Sequence, residues 1–302
     1  MYKFISLLFV VSVSLLIACN PTVRKTESGL EYIVIPGNKG GPQAGTGSTV
    51  KLHYSQLFHD TVTASTFDKM PYYKALIPGT IFAYDPFEVL GHGVREGDSI
   101  IVTLRMDSLL KKGKIAKLPP HIQPTDKIIT SIKVLKVFPF DIMHAQQTDS
   151  LVYLDKTMER KRIDSIQTIM GPRRVQEYLT QQKITATPTT AGAYLQVLNA
   201  GSGATVDTGK LIFLQYKVST LKGKVMDTNM DTTFHHTNAL TFEVGSKYMM
   251  KPVDEAIRGL KKDGHAKIYI PAMVAASGNT QGMENSYDDI VFEVIVLEVK
   301  EK

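Results

Sequence analysis

The stretch from Asn238 to Val299 limits the fold more than any other part of this 302-residue chain. It opens with Leu240-Thr241-Phe242-Glu243-Val244, a short alternating run stopped by Gly245. Pro252 then introduces a helix-length segment in which Val253, Ala256, Ile257 and Leu260 share one face and acids stand in the first turn. Gly264 leads into Ala266-Lys267-Ile268-Tyr269-Ile270, which alternates and stops at Pro271. Asp289 to Val299 is a long run dominated by β-branched residues. Strand, short helix, strand, long loop, strand leaves one small helix to cover one face of an antiparallel sheet. That is the α+β arrangement, a bent sheet wrapped over a short helix.

A second copy of this pattern precedes the first. Thr26-Glu27-Ser28-Gly29-Leu30-Glu31-Tyr32 echoes Thr189-Thr190-Ala191-Gly192-Ala193-Tyr194, and each leads through a Gly-rich turn into a further strand. Tyr54 and Tyr216 occupy matching places in those strands. Phe67-Asp68 is read as the counterpart of Met226-Asp227, and Lys127 to Val137 as the counterpart of the last strand. The expected organisation is a divergent first domain over 29–140, a helical linker over 141–183 and a second domain over 184–302. In the linker Leu151, Leu154, Met158, Ile163, Ile166 and Met170 form an irregular apolar stripe, and Gly171-Pro172 divides it into two helical stretches. It reads as a connector packed on the domains, with a dimerisation helix as the alternative.

Residues 1–19 read as a processing signal. Lys3 is followed by the apolar run Phe4 to Ile17, shorter than the about 20 residues a membrane span needs. It ends in Leu16-Ile17-Ala18-Cys19, which resembles a bacterial lipobox, with Cys19 as the lipid-bearing residue. A plain secretory signal is the alternative. Residues 20–28 form a polar tether reaching at most about 30 Å. Cys19 is the only cysteine, so no disulfide forms within the chain. The net charge of +6 is spread out, and the basic clusters at Lys111-Lys112-Gly113-Lys114 and Arg160-Lys161-Arg162 carry no interleaved aromatics, so nucleic acid is excluded as a partner. Adjacent His235-His236 point apart on an extended chain, and the other histidines lack ligands at metal-binding spacing, so neither a metal nor another cofactor is expected.

The ordered set Phe213-Leu214-Gln215-Tyr216, Met226-Asp227, Met249-Met250, Pro252 to Ala256, Gly264 to Pro271 and Ile290-Val291-Phe292-Glu293-Val294 resembles the FKBP-type peptidyl-prolyl isomerases. The resemblance implies two FKBP-like domains in tandem. It assigns catalysis in the second domain to Tyr216, Asp227, Met250 and Phe292. Met226, Leu240, Met249 and Val253 would line the cleft, with Val253 where the family carries Trp. In the first domain it assigns substrate contact to Tyr54, Phe67, Asp68 and Phe87. The implied function is prolyl isomerisation of proline-containing polypeptide segments during folding in the bacterial cell envelope, with the membrane reached through Cys19. The alternative is a non-catalytic binding or chaperone module of an envelope assembly.

Overall fold

The computed structural model describes residues 22–37, 40–79, 81–140, 145–276 and 287–301. The expected signal, with Cys19, lies outside the described residues. The chain divides into two compact units between Glu159 and Arg160.

In the first unit the strands are β1 (Arg24–Lys25), β2 (Glu31–Ile35), β3 (Thr49–Phe58), β4 (Thr61–Ser65), β5 (Tyr72–Ala75), β6 (Ser99–Arg105) and β7 (Lys127–Phe138). They form one sheet in the order β1-β2-β6-β7-β3-β4, with β5 also on β3, and every pairing is antiparallel. A 3₁₀ turn, Pro86–Gly91, packs Val89 and Leu90 under the sheet against Val50, Leu52, Ile100 and Val134. The helix α1 (Met106–Lys111) follows β6 directly.

Within the stretch 20–28 read from sequence as tether, Arg24 and Lys25 instead pair with β2, and residues 26–29 form the turn between the two strands. Thr26 accepts from Gly29 N–H through its carbonyl, and its hydroxyl accepts from Leu30 N–H at 3.2 Å, closing a hairpin with Gly29 at φ 83°. That left-handed turn is open to glycine at little cost. The second unit has the same hairpin, with Thr189, Gly192 and Ala193 in the same roles and Gly192 at φ 86°.

The helix α2 (Ala145–Gln181) runs unbroken through Gly171 and Pro172, where the sequence pattern suggested a break. Gly171 allows a close approach: a Cβ there would sit 3.2 Å from the Pro271 side chain and 3.4 Å from Asp289 Oδ1. Close packing at Gly171 within the second unit supports the helix where proline alone would interrupt it. The buried apolar positions are Val152, Ile163, Val175 and Leu179, whereas Leu151, Leu154 and Met158 of the expected stripe are exposed.

The second unit repeats the first strand for strand. Its strands are β8 (Thr187–Pro188), β9 (Tyr194–Asn199), β10 (Leu211–Thr220), β11 (Val225–Thr228), β12 (Leu240–Glu243), β13 (His265–Ile270) and β14 (Ile290–Lys300). Their order is β8-β9-β13-β14-β10-β11, with β12 also on β10. The short helices α3 (Lys251–Ala256) and α4 (Ala272–Ala276) take the places of the 3₁₀ turn and α1. Pro252, Val253, Ala256, Ile257 and Leu260 are buried, so the single helix covers the concave face as its apolar spacing predicts.

Even the irregularities recur. The β3–β7 register shifts between Lys51 and Leu52, and the β10–β14 register between Phe213 and Leu214. A second shift falls between Gln56 and Leu57 against β4, and between Val218 and Ser219 against β11. Bulges re-aim side chains, so their positions fix which residues correspond. Tyr54 matches Tyr216, two residues after the first shift in each unit. Both units are α+β, as the repeat implied.

Candidate functional site

In the second unit the site begins with Tyr216 on β10. Its backbone is clamped by Asn229: Tyr216 N–H donates to Asn229 Oδ1 at 2.6 Å, and Asn229 N–H donates to the Tyr216 carbonyl at 3.1 Å. Asn229 is buried and also donates through Nδ2 to the carbonyls of Leu214 and Asn238, at 3.1 and 2.9 Å. One amide side chain therefore ties β10 to both ends of the loop that joins β11 to β12.

Asp227 stands opposite Val218, beside the bulge that leaves Met226 as the extra residue. Its Oδ2 accepts from the Tyr216 hydroxyl at 2.7 Å, and its Oδ1 accepts from Thr228 N–H at 2.9 Å. The His236 Nε2 lies 2.8 Å from the same Oδ1. Burial pushes the Asp227 carboxyl up, but the bonds from Tyr216 and His236 more than offset this and hold it below the usual carboxylate range. Burial, and then the neighbouring Asp227, push the Tyr216 hydroxyl up, so it stays a neutral donor.

The Tyr216 ring stacks on Phe292, with centroids 5.6 Å apart and planes 22° apart. Phe292 is buried on β14, paired across to Val218 and Ile268. Val253 is fully buried on α3. Met226, Leu240, Met249, Met250 and Tyr216 are partly buried against the same apolar cluster. Met250 precedes α3 with φ −52° and ψ 130°, and its carbonyl receives the first helical N–H groups, from Val253 and Asp254, both at 2.9 Å. The structure thus brings together all eight residues assigned to the second cleft: seven in or against one apolar cluster, and the ionised Asp227 bonded to the Tyr216 hydroxyl. His236, set aside as a metal ligand by sequence reasoning, belongs to this site. Its signal in the sequence was only that it sits nine residues beyond Asp227.

The first unit is built differently. Tyr54 meets Phe87 edge-on at 5.3 Å and Tyr72 at 6.0 Å, and Tyr72 lies 5.1 Å from Phe87. Tyr72 was not anticipated. It pairs with Leu52 as Leu240 pairs with Leu214, so it takes the place of Leu240. Phe67 does not join this group; its ring stacks on His53 at 5.1 Å, and the neighbouring Tyr54 points to the opposite face of β3. Asp68 lies in a left-handed turn at φ 63°, beyond the end of β4. The expected match of Phe67-Asp68 with Met226-Asp227 therefore fails. The shifted register puts Ala64 opposite Gln56, as Asp227 stands opposite Val218, so alanine occupies the carboxylate position. Thr130 pairs with Gln56 as Phe292 pairs with Val218, so threonine stands where the second unit has its stacked ring.

Among the described residues no group of three or more His, Cys, Asp or Glu side chains is placed to hold a metal ion. The second unit sets an apolar cluster beside oriented hydrogen-bonding groups.

Residues 203–297 match the family model of the FKBP-type peptidyl-prolyl cis-trans isomerases. No curated protein matches the chain. Similar solved structures include FkpA from Escherichia coli, at 20% identity and TM-score 0.43 over 54% of this chain and 74% of that one. A peptidyl-prolyl cis-trans isomerase from Pseudomonas syringae pv. tomato gives 17% identity and TM-score 0.35 over 44% and 96%. The three FKBP domains of wheat FKBP73 give 11% identity and TM-score 0.31 over 93% and 100%. The stretch that carries the second unit's sheet, short helix and candidate site is thus the part of the chain that matches an FKBP-type domain.

Proposed function

We propose that the second unit is a peptidyl-prolyl cis-trans isomerase that assists protein folding in the bacterial cell envelope, held to a membrane through lipid on Cys19. Its substrates are proline-containing polypeptide segments. The observation that carries the reading is the Tyr216–Asp227–Phe292 arrangement, in which a hydroxyl is fixed by a carboxylate while its ring lines an apolar wall.

Rotation about the amide before proline crosses a barrier of about 18–20 kcal/mol and breaks no covalent bond. The catalyst needs only to favour the twisted amide over the planar one. At the twist the amide loses resonance and part of its dipole, so a hollow walled by Phe292, Val253 and the methionines suits it better than water does. Polar groups at the rim hold the flanking backbone while the ring turns.

A second reading applies to the first unit. Ala64 and Thr130 replace the carboxylate and the stacked phenyl ring, while Tyr54, Tyr72 and Phe87 retain an aromatic wall. That combination favours holding an apolar segment without isomerising it. Among the described residues no helix is long and apolar enough to cross a membrane.

The test is isomerisation of a proline tetrapeptide by the purified full-length chain. Activity lost in Asp227→Ala and Phe292→Ala supports the assignment. A wild-type chain with no activity, or activity that survives both changes, overturns it. Labelling of the cells with a fatty-acid analogue, with Cys19→Ser beside it, tests the anchor.

A further inference from the structure

We infer that His236 is a positioning residue of the second cleft, and that the charge on its ring sets how firmly Asp227 and Tyr216 are held. This rests on the isomerase reading of that cleft and adds to it a residue outside the eight assigned there.

The loop that delivers His236 is built for the purpose. In the first unit β4 and β5 are joined by Thr66 to Pro71, whereas in the second β11 and β12 are joined by the longer run Asn229 to Ala239. Asn229 fastens both ends of that run. Inside it, Asp231 Oδ1 accepts from Thr233 N–H at 2.8 Å, and His235 N–H donates to the Thr232 carbonyl at 3.0 Å. His235 itself adopts φ 59°, a left-handed conformation that non-glycine residues rarely take. The turn this creates brings the next side chain back over β11. Its imidazole then lies 2.8 Å from Asp227 Oδ1 and 6.3 Å, centroid to centroid, from the Tyr216 ring.

An ionised carboxylate only accepts, so Nε2 carries a proton in either charge state of the ring. Only Nδ1 titrates. Its protonation turns a bond from a neutral donor to a carboxylate into an ion pair, in which both partners are charged. The other titratable groups around His236 come from β10, β11, its own loop and the segment before α3. Asp227, from β11, is already ionised, and Tyr216, from β10, keeps its proton. Tyr248 reaches Tyr216 from the segment before α3. Within the loop, Asp231 is held ionised by Thr233, with Lys217 of β10 acting on it. His235, the preceding residue, is exposed. Of the side chains in the pair, imidazole is the type that ordinarily changes charge between pH 5 and 8.

The experiment measures kcat/KM for a proline tetrapeptide from pH 5.5 to 8 with the full-length wild-type chain, His236→Gln and His236→Arg. In parallel, the methyl resonances of Met226, Met249 and Met250 are followed by NMR in methionine-labelled protein. The wild type should gain about threefold in kcat/KM toward acid, the value of one partly exposed ion pair. His236→Arg, which keeps the charge, should hold the acid level at every pH. His236→Gln, which keeps only a neutral donor, should hold the alkaline level. The methyl resonances should move with pH in the wild type and stay fixed in both variants. Coincident pH profiles in the wild type and His236→Gln, or methyl shifts identical in the two, overturn the inference while leaving the isomerase intact. A wild type inactive at every pH removes the isomerase reading instead, and the methyl titration still decides whether His236 governs the cleft.

Discussion

Arg174 grips Asp289 with both arms of its guanidinium, Nε to Oδ2 at 2.7 Å and Nη2 to Oδ1 at 3.1 Å. Asp289 also accepts from Ala272 N–H at 2.9 Å, so one nearly buried carboxylate joins α2, α4 and the segment entering β14. Removing one partner of such a pair leaves the other charge without compensation. Arg174→Ala should lower the unfolding free energy of the second unit by about 2–3 kcal/mol. Chemical denaturation reads this directly, and a midpoint within error of the wild type would show that the clamp contributes nothing.

Asp227 and Ala64 occupy the same place in two copies of one fold, and only the first can accept from the neighbouring tyrosine. Asp227→Ala removes an ionised acceptor, a change worth about 1.5–3 kcal/mol, so kcat/KM should fall about tenfold or more. Stability should change little, because the Asp227 side chain is 42% exposed. Residual activity near the wild-type level would place the catalysis elsewhere, with the first unit as the alternative location.

Much of the fold was legible because each unit carries its own punctuation. Gly29 and Gly192 mark the same hairpin, and the β-branched run at Ile290–Lys300 fixes the central strand. The apolar face of Val253, Ala256, Ile257 and Leu260 was plain from spacing, and all four are buried. What stayed hidden depended on events that leave no periodic trace. The carboxylate position of β11 holds alanine in β4, so the nearest aspartate in the sequence, Asp68, looked like its counterpart although it lies beyond the strand. Gly171-Pro172 looked like a helix break because proline removes a backbone donor, yet packing of Gly171 against Pro271 carries the helix past it. His236 reaches the site through a left-handed turn at His235, a backbone choice that residue type alone does not announce. Tyr72 was missed because its place is held by leucine in the other copy.

Phe292 serves the core and the cleft together, and two substitutions separate these roles. Phe292→Ala vacates a buried ring and should cost about 3–5 kcal/mol. Phe292→Leu keeps most of the filling and should cost about 1–2 kcal/mol. Leucine cannot reproduce the stack on Tyr216, so the folded leucine variant should lose isomerase activity although its unfolding curve stays close to the wild type. Full activity in that variant would mean the stacked ring is packing alone.

The last prediction concerns acid stability of the first unit. Asp155 accepts from Lys51 Nζ at 2.8 Å, the Tyr73 hydroxyl at 2.6 Å and Lys136 Nζ at 3.3 Å. Burial pushes its carboxyl up, but the bonds from Lys51 and Tyr73 outweigh burial and hold it below the usual carboxylate range. A carboxyl depressed by folding stabilises the fold above its unfolded value of about 3.9, and that contribution disappears as pH falls through the lower folded value. The wild type should therefore lose stability progressively below about pH 5. In Asp155→Asn the Lys51 ammonium, whose side chain is 11% exposed, keeps only Glu159 as an acidic partner, at 2.9 Å. That variant should be about 2–3 kcal/mol less stable at neutral pH, and its stability should fall less steeply toward pH 3. Denaturation curves at pH 7 and pH 3 compare the two. A constant difference between the variant and the wild type at both pH values would show that Asp155 is not one of the groups through which acid unfolds this unit.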